Sequence, residues 1–263
     1  MTMKPLHDLH AVVTGGSRGI GLAIATSLAQ AGARVSIMGR DEARLNAARE
    51  SLNSQGLEAA STTVDVASET SVTRAFTTAR ESFGAIDILI NNAGIAESAP
   101  FAKTSYEQFE RVVNTNLKGV WLCTQAFAQD LQLRVDGRSK RVVNVASTAA
   151  LTGYAYVTAY CAAKHGVLGL TRALALEWAK KGVTVNAVCP GYTDTDIVAD
   201  AVANIVAKTG RDAVAVRAEL AASNPQAKLV TPEQVANTVL WLVSPGSEAI
   251  NGQAISVSGG EVM

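Results

Sequence analysis

"VVTGGSRGIGLAIATSLAQAG", residues 12–32, decides the fold. It runs strand, glycine-rich turn, helix. Gly15, Gly19 and Gly21 are spaced G-x-x-x-G-x-G, which would let the backbone approach a pyrophosphate closely. The phosphates would then lie on the amino end of the following helix, where free N–H groups and the helix dipole favour negative charge. Glycine turns also simply join strands to helices, and it is the position after the first strand that favours a nucleotide.

The rest of the chain repeats that unit. Short apolar runs such as "ARVSIM", "EAASTTV", "DILI", "KRVVNVA", "VTVNAV" and "AISV" alternate with longer helical patterns. Among these are single helices expected over "TSYEQFERVVNTNLKGVWLCTQAFAQ" and over about 157–181. Seven strands with helices between them predict an α/β fold, a doubly wound seven-stranded parallel sheet of the Rossmann type. With 263 residues, 48% of them hydrophobic, the chain fits one NAD(P)-binding domain over 1–263. The spacing breaks once, after the sixth strand, where about 192–229 holds two Ala/Val-rich helical patterns. An insertion of that size after a strand's carboxyl end reads as a helical substrate lid.

Composition excludes several classes of function. The 23 basic and 23 acidic residues cancel, and no basic tract could neutralise successive phosphates of a nucleic acid. The opening residues lack the apolar stretch of a signal peptide, and no segment is apolar enough for a membrane helix, so a soluble, cytoplasmic protein is expected. Cys123, Cys161 and Cys189 are too scattered for a disulfide framework, and the three histidines show no ligand spacing, so no metal is expected.

Cofactor choice rests on "SIMGRDEARL", residues 36–45. An NAD site would place an acid at the end of the second strand for the ribose hydroxyls, whereas an arginine there suits a 2′-phosphate. Gly39 stands where the acid is expected and Arg40 follows. With Arg18 as a second guanidinium, NADP(H) is favoured over NAD(H). The alternative is that both arginines are ordinary surface charges and Asp41, one place later, holds the ribose.

"NVASTAALTGYAYVTAYCAAKHG", residues 144–166, carries three of the five tyrosines. Only Tyr160 has a lysine four residues on, Lys164, on the same helix face. A neighbouring ammonium favours the phenolate and lowers its pKa, so Tyr160 can serve as acid and base, while Tyr154 and Tyr156 shape the pocket.

The set "TGGSRGIG", "NNAG" (91–94), Ser147, "YCAAK" (160–164) and "CPGYTDT" (189–195), in this order over nearly the whole chain, resembles the short-chain dehydrogenase/reductase family. The stretches "NVAST", "KHGVLGLTRALALE" and "GVTVNAVCPG" are most similar to 3-oxoacyl-thioester and polyketide ketoreductases. The resemblance implies Tyr160 as general acid in reduction and base in oxidation. It implies Ser147 as a hydrogen-bonding partner of the substrate oxygen, and Lys164 lowering the tyrosine pKa and holding the nicotinamide ribose. Asn116 would fix a water in a proton relay, with Asn114 as the alternative. Ser17 and Ile20 would join the glycines at the cofactor, Asp65 and Val66 would face the adenine, and Asn91, Ala93 and Gly94 would lie along it. Pro190 and Gly191 would also bind the cofactor, and Thr193 or Thr195 would contact its carboxamide.

The expected function is an NADPH-dependent reduction of a ketone, a 3-oxoacyl thioester of the acetoacetyl-coenzyme A kind. Lys208, Arg211, Arg217 and Lys228 could meet the phosphates of such a carrier. A secondary-alcohol, dihydrodiol or steroid-type dehydrogenase is the alternative, and a non-catalytic NADP(H) sensor the remote one. Ala162, Ala163, Gly166 and Gly169 would permit close helix contact, and the resemblance implies a homodimer or homotetramer.

Overall fold

The computed structural model describes residues 4–132 and 140–263. Seven strands form one parallel sheet in the order β3-β2-β1-β4-β5-β6-β7. They are β1 His10–Thr14, β2 Arg34–Gly39, β3 Ala59–Thr63, β4 Ile88–Asn91, β5 Lys140–Val145, β6 Val183–Pro190 and β7 Ala254–Val257. Strand order reverses between β1 and β4, which are adjacent, so a crevice opens beyond their carboxyl ends. Every residue of β5 and of β6 is buried, as expected of strands covered on both faces.

Helices α1 Gly19–Gln30, α2 Glu42–Ser54 and α9 Pro232–Val243 cover one face, where Ile24, Leu28, Val235 and Val239 pack together. Helix α9 starts sharply because Thr231 and Gln234 form a reciprocal capping box with Pro232 in its first turn. On the opposite face lie α3 Glu69–Phe83, α4 Tyr106–Val113, α5 Gly119–Ala128 and α6 Thr158–Trp178, with Phe76, Phe127 and Trp178 in the core between them. The single helix expected over residues 104–129 is interrupted. A π-helical turn, Asn114–Lys118, separates α4 from α5.

Between β6 and α9 the chain makes the expected excursion, α7 Asp196–Thr209 and α8 Ala213–Ala222. Its neck is closed: Val230 N donates to Tyr192 O at 2.9 Å and Asp194 N to Val230 O at 2.9 Å. Gly210, left-handed at φ 66°, ends α7, and the Asp212 side chain caps α8. Among the described residues, no helix is long and apolar enough to cross a membrane.

Candidate active site

At the carboxyl end of β5 the chain turns at Ser147, whose Oγ accepts from Ala149 N at 3.1 Å and so begins a 3₁₀ turn. Helix α6 then follows, and its first two turns carry Tyr160 and Lys164. Lys164 is buried; its Nζ lies 5.5 Å from the centre of the Tyr160 ring and donates to Val145 O at 2.8 Å. The three expected groups are therefore together.

Their electrostatics differ from the expected arrangement. Burial pushes the Tyr160 phenol up to about 12, and the opposing influence is a hydrogen bond with Ser147 rather than the ammonium. Lys164 lies over the ring and is itself driven down to about 8 by burial.

Asn116 sits in the π turn and is fully buried. Its Nδ2 donates to Ile95 O at 2.8 Å and to Val112 O at 2.9 Å, and its Oδ1 accepts from Ile95 N at 3.3 Å. One amide proton is thus committed to the loop after β4 and the other to helix α4, leaving no side-chain donor for a relay water. Gly94 makes this possible, since a Cβ there would stand 2.7 Å from Asn116 Oδ1 and 3.7 Å from Lys164 Nζ.

The neighbouring "NNAG" departs from expectation. The Asn91 side chain turns inward, donating to Asn144 Oδ1 at 2.8 Å and Thr124 Oγ1 at 3.0 Å beneath the sheet. Asn92, which the sequence did not single out, donates to Thr14 O at 2.9 Å and Gly15 O at 3.1 Å and braces the glycine turn. Ala93 N completes the brace on Thr14 Oγ1 at 3.0 Å.

The glycines divide their work. Gly15 is left-handed at φ 65° and lies against Ala93 and Asn92. A Cβ on Gly21 would stand 2.1 Å from Gly15 O, so this glycine serves packing within the chain rather than approach of a phosphate. Gly19 opens α1, whose N-cap Arg18 makes no capping bond, and the first turn contains no acid. A Cβ on Gly19 would lie 3.2 Å from Thr195 Cγ2 at the N-cap of α7, which also lacks a side-chain capping bond. Two helix amino ends with free N–H groups are thus adjacent, a setting suited to a pyrophosphate. Ile20 is half-buried against the core.

Arg18 is committed elsewhere: its Nη1 pairs with Asp196 Oδ2 at 2.6 Å, across to α7. Arg18 is thus engaged with α7 in this arrangement. Arg40 is exposed, and none of the described residues pairs with it. Asp41 caps α2, its Oδ1 accepting from Arg44 N at 3.0 Å and its Oδ2 lying 3.2 Å from Arg44 Nε. A Cβ on Gly39 would meet only ordinary contacts, at 3.7 Å from Ser17 Oγ and Leu45. Asp65 is exposed in a turn, accepting from Ala67 N at 3.0 Å, and Val66 beside it is buried.

Beyond Pro190 at the end of β6, Thr193 is buried and donates to Gly191 O at 3.0 Å, while Thr195 donates to Thr193 O at 3.3 Å. A Cβ on Gly191 would stand 2.6 Å from Glu261 Oε2, a residue absent from every sequence motif. Of the four cations in the excursion, Arg211 pairs with Glu219, and Arg217 pairs with Asp194 at 2.8 Å. Lys208 reaches Ser98 O at 3.4 Å, and Asn204 Nδ2 bonds Ser98 Oγ at 3.1 Å, so α7 rests on the loop after β4.

Fold and site together define a Rossmann-type oxidoreductase. The short chain dehydrogenase family matches residues 9–206, and the chain belongs to that family. It is accordingly an enzyme acting on C=O or CH–OH groups. The 3-oxoacyl-acyl-carrier-protein reductase of Aquifex aeolicus is 37% identical over 250 residues, covering 95% of this chain and 95% of the relative. That of Synechocystis sp. is 35% identical over 255 residues, with 96% of both chains covered. A solved structure of an actinorhodin polyketide ketoreductase variant with NADPH superposes with a TM-score of 0.92 at 36% identity, covering 96% of this chain and 97% of that one.

Proposed function

We propose that this protein is an NADPH-dependent ketoreductase acting on a 3-oxoacyl thioester. The observation that carries the reading is the Ser147, Tyr160 and Lys164 cluster, with the lysine ammonium buried 5.5 Å from the tyrosine ring centre. The NADPH relative and the thioester reductases among its relatives support the cofactor and the substrate class.

The cofactor residues fit a 2′-phosphate. Gly39 offers space without charge, Arg40 offers a guanidinium that pairs with none of the described residues, and Asp41 is engaged in capping α2, which supports NADP(H) over the NAD alternative. Bound NADPH would supply the hydride. The Ser147 hydroxyl would donate a hydrogen bond to the carbonyl oxygen as it gains charge, and Tyr160 would deliver its proton to the same oxygen. A phenol near 12 is fully protonated at neutral pH, and it is still a stronger acid than the alcohol it creates, so the transfer runs downhill. Lys164 would hold the nicotinamide ribose and stabilise the phenolate that remains.

We read the chain as one NAD(P)-binding domain in which α7 and α8, within 192–229, form the substrate lid. Lys208 and Lys228 are the cations we assign to carrier phosphates, since Arg211 and Arg217 are in ion pairs. We further read it as a homo-oligomer. Gly166 packs inside the subunit against Leu117, but Ala162, Gly169 and Trp121 are exposed, beside an apolar groove lined by Val113, Leu117, Trp121 and Leu170.

The test is nicotinamide absorbance with acetoacetyl-coenzyme A, using NADPH and NADH side by side and Tyr160→Phe as control. Consumption of NADPH that disappears in the variant is the expected result. Silence with both cofactors in a protein that binds NADPH would move the assignment to a non-thioester alcohol or ketone.

A further inference from the structure

Residues 258–262 make a tight turn that the catalytic reading leaves unexplained. Gly259 and Gly260 are both left-handed, at φ 64° and 98°. Three serine contacts lock the turn: Ser256 Oγ donates to Val262 O at 2.9 Å, Val262 N donates to Ser258 Oγ at 3.3 Å, and the two serine oxygens are 2.8 Å apart. The turn is seated against the end of the α7–α8 excursion. A Cβ on Gly259 would stand 2.1 Å from Asn224 Oδ1, and one on Gly260 would touch Pro225 at 3.5 Å. Only glycine satisfies both the backbone and the space at Gly259.

What the turn delivers is the Glu261 carboxylate. Tyr154 donates its hydroxyl proton to Glu261 Oε1 at 2.6 Å, a charge-assisted bond. The same hydroxyl oxygen lies 2.9 Å from Thr148 Oγ1, and with its one proton already given it accepts from Thr148. Thr148 follows Ser147 and begins the 3₁₀ turn that Ser147 caps, and its carbonyl accepts from Leu151 N at 2.8 Å. The Tyr192 ring packs edge-on against Tyr154 with centres 6.4 Å apart, closing the wall beside Gly191.

Glu261 Oε2 is buried and has no hydrogen-bond partner. Leaving a carboxylate oxygen in that condition opposes folding. A glutamate retained there, on a turn built with two left-handed glycines, calls for a gain elsewhere.

We propose that Glu261 is a positioning residue: through Tyr154 and Thr148 it fixes the turn that carries Ser147, and so sets the aim of the Ser147 hydroxyl at the substrate oxygen. The inference rests on the reading of Ser147 and Tyr160 as catalytic groups. It makes the segment after β7 part of the substrate end of the site, linked on its other side to the end of the lid.

The experiment compares Glu261→Ala, Glu261→Gln, Tyr154→Phe and the Glu261→Ala/Tyr154→Phe double variant in the full chain, with acetoacetyl-coenzyme A and NADPH. Glu261→Ala and Tyr154→Phe should each lower kcat about tenfold, as a displaced catalytic group does, with KM for NADPH unchanged. Glu261→Gln keeps an oxygen for Tyr154 and should recover most of the rate. The double variant should be no slower than either single one, because both break the same chain. Hydrogen exchange over residues 147–156 should quicken in both single variants. Multiplied losses in the double variant, a normal kcat in Glu261→Ala, or a Glu261→Gln as slow as Glu261→Ala would overturn the proposal. Were the wild type silent with this thioester, the substrate reading would fall, and unchanged exchange over 147–156 would still overturn the coupling.

Discussion

Burial takes the Lys164 ammonium out of water and holds its pKa near 8, below the ordinary 10.5, so at neutral pH the native state carries a charge it binds less well than the unfolded chain does. Between pH 8 and 10.5 the native protein releases this proton while the unfolded chain keeps it, so stability rises with pH through that window. Lys164→Met should therefore raise Tm at pH 7, by a gain on the order of 1–3 kcal/mol, and the advantage should shrink towards pH 10. Calorimetry at the two pH values checks this, and a variant less stable than wild type at pH 7 would sink it. At Gly39 the space is open enough for a side chain. Gly39→Asp should weaken NADPH about tenfold by repelling the 2′-phosphate while leaving NADH binding little changed; fluorescence titration of both nucleotides decides. Tyr160 and Lys164 were legible from their spacing alone, because i,i+4 places them on one helix face. The direction of the Tyr160 pKa was not, because burial depends on strands and loops distant in sequence. Asn91 shows a similar limit: "NNAG" marks the segment, yet which asparagine faces the glycine turn follows from the alternation of β4, read correctly only with its neighbours in view.

Among the elements, α1 and α7 meet at their amino ends, held by the Arg18–Asp196 pair. Both side chains are more than half exposed, so the pair adds little to stability, but it occupies a guanidinium beside the proposed pyrophosphate site. Asp196→Asn should leave Tm nearly unchanged and lower the Kd for NADPH about threefold, since the freed cation can serve the phosphates. A Kd that rises instead would mean the pair closes the lid over the nucleotide rather than competing with it. Helix existence and order were readable from hydrophobic periodicity, and the excursion from a break in it. The π turn at Asn114–Lys118 was not readable, because one extra residue in a turn shifts the apolar stripe too little to be seen in sequence. Its consequence is local and chemical: Asn116, within the turn, donates to both Ile95 O and Val112 O.

At the scale of the molecule, the parallel order β3-β2-β1-β4-β5-β6-β7 brings segments as distant as Gly15, Asn92, Ser147, Gly191 and Glu261 to one end of the sheet. The alternation of strands and helices predicted that convergence, but not Glu261, because no motif surrounds it and its role appears only when the turn after β7 meets Tyr154. The exposed Trp121 and the apolar groove beside it are the proposed contact between copies. Trp121→Glu should lower the mass seen by light scattering to that of a smaller assembly without loss of fold by circular dichroism, whereas an unchanged mass would place the contact elsewhere. Hydride delivery to a 3-oxoacyl carbonyl with Tyr160 as the proton donor can be followed by mass spectrometry. Acetoacetyl-coenzyme A incubated with the protein and NADPH deuterated at the transferable position should yield 3-hydroxybutyryl-coenzyme A one deuterium heavier, and Tyr160→Phe should yield almost none. Unlabelled product, no product from a correctly folded NADPH-binding enzyme, or undiminished product from Tyr160→Phe would contradict it.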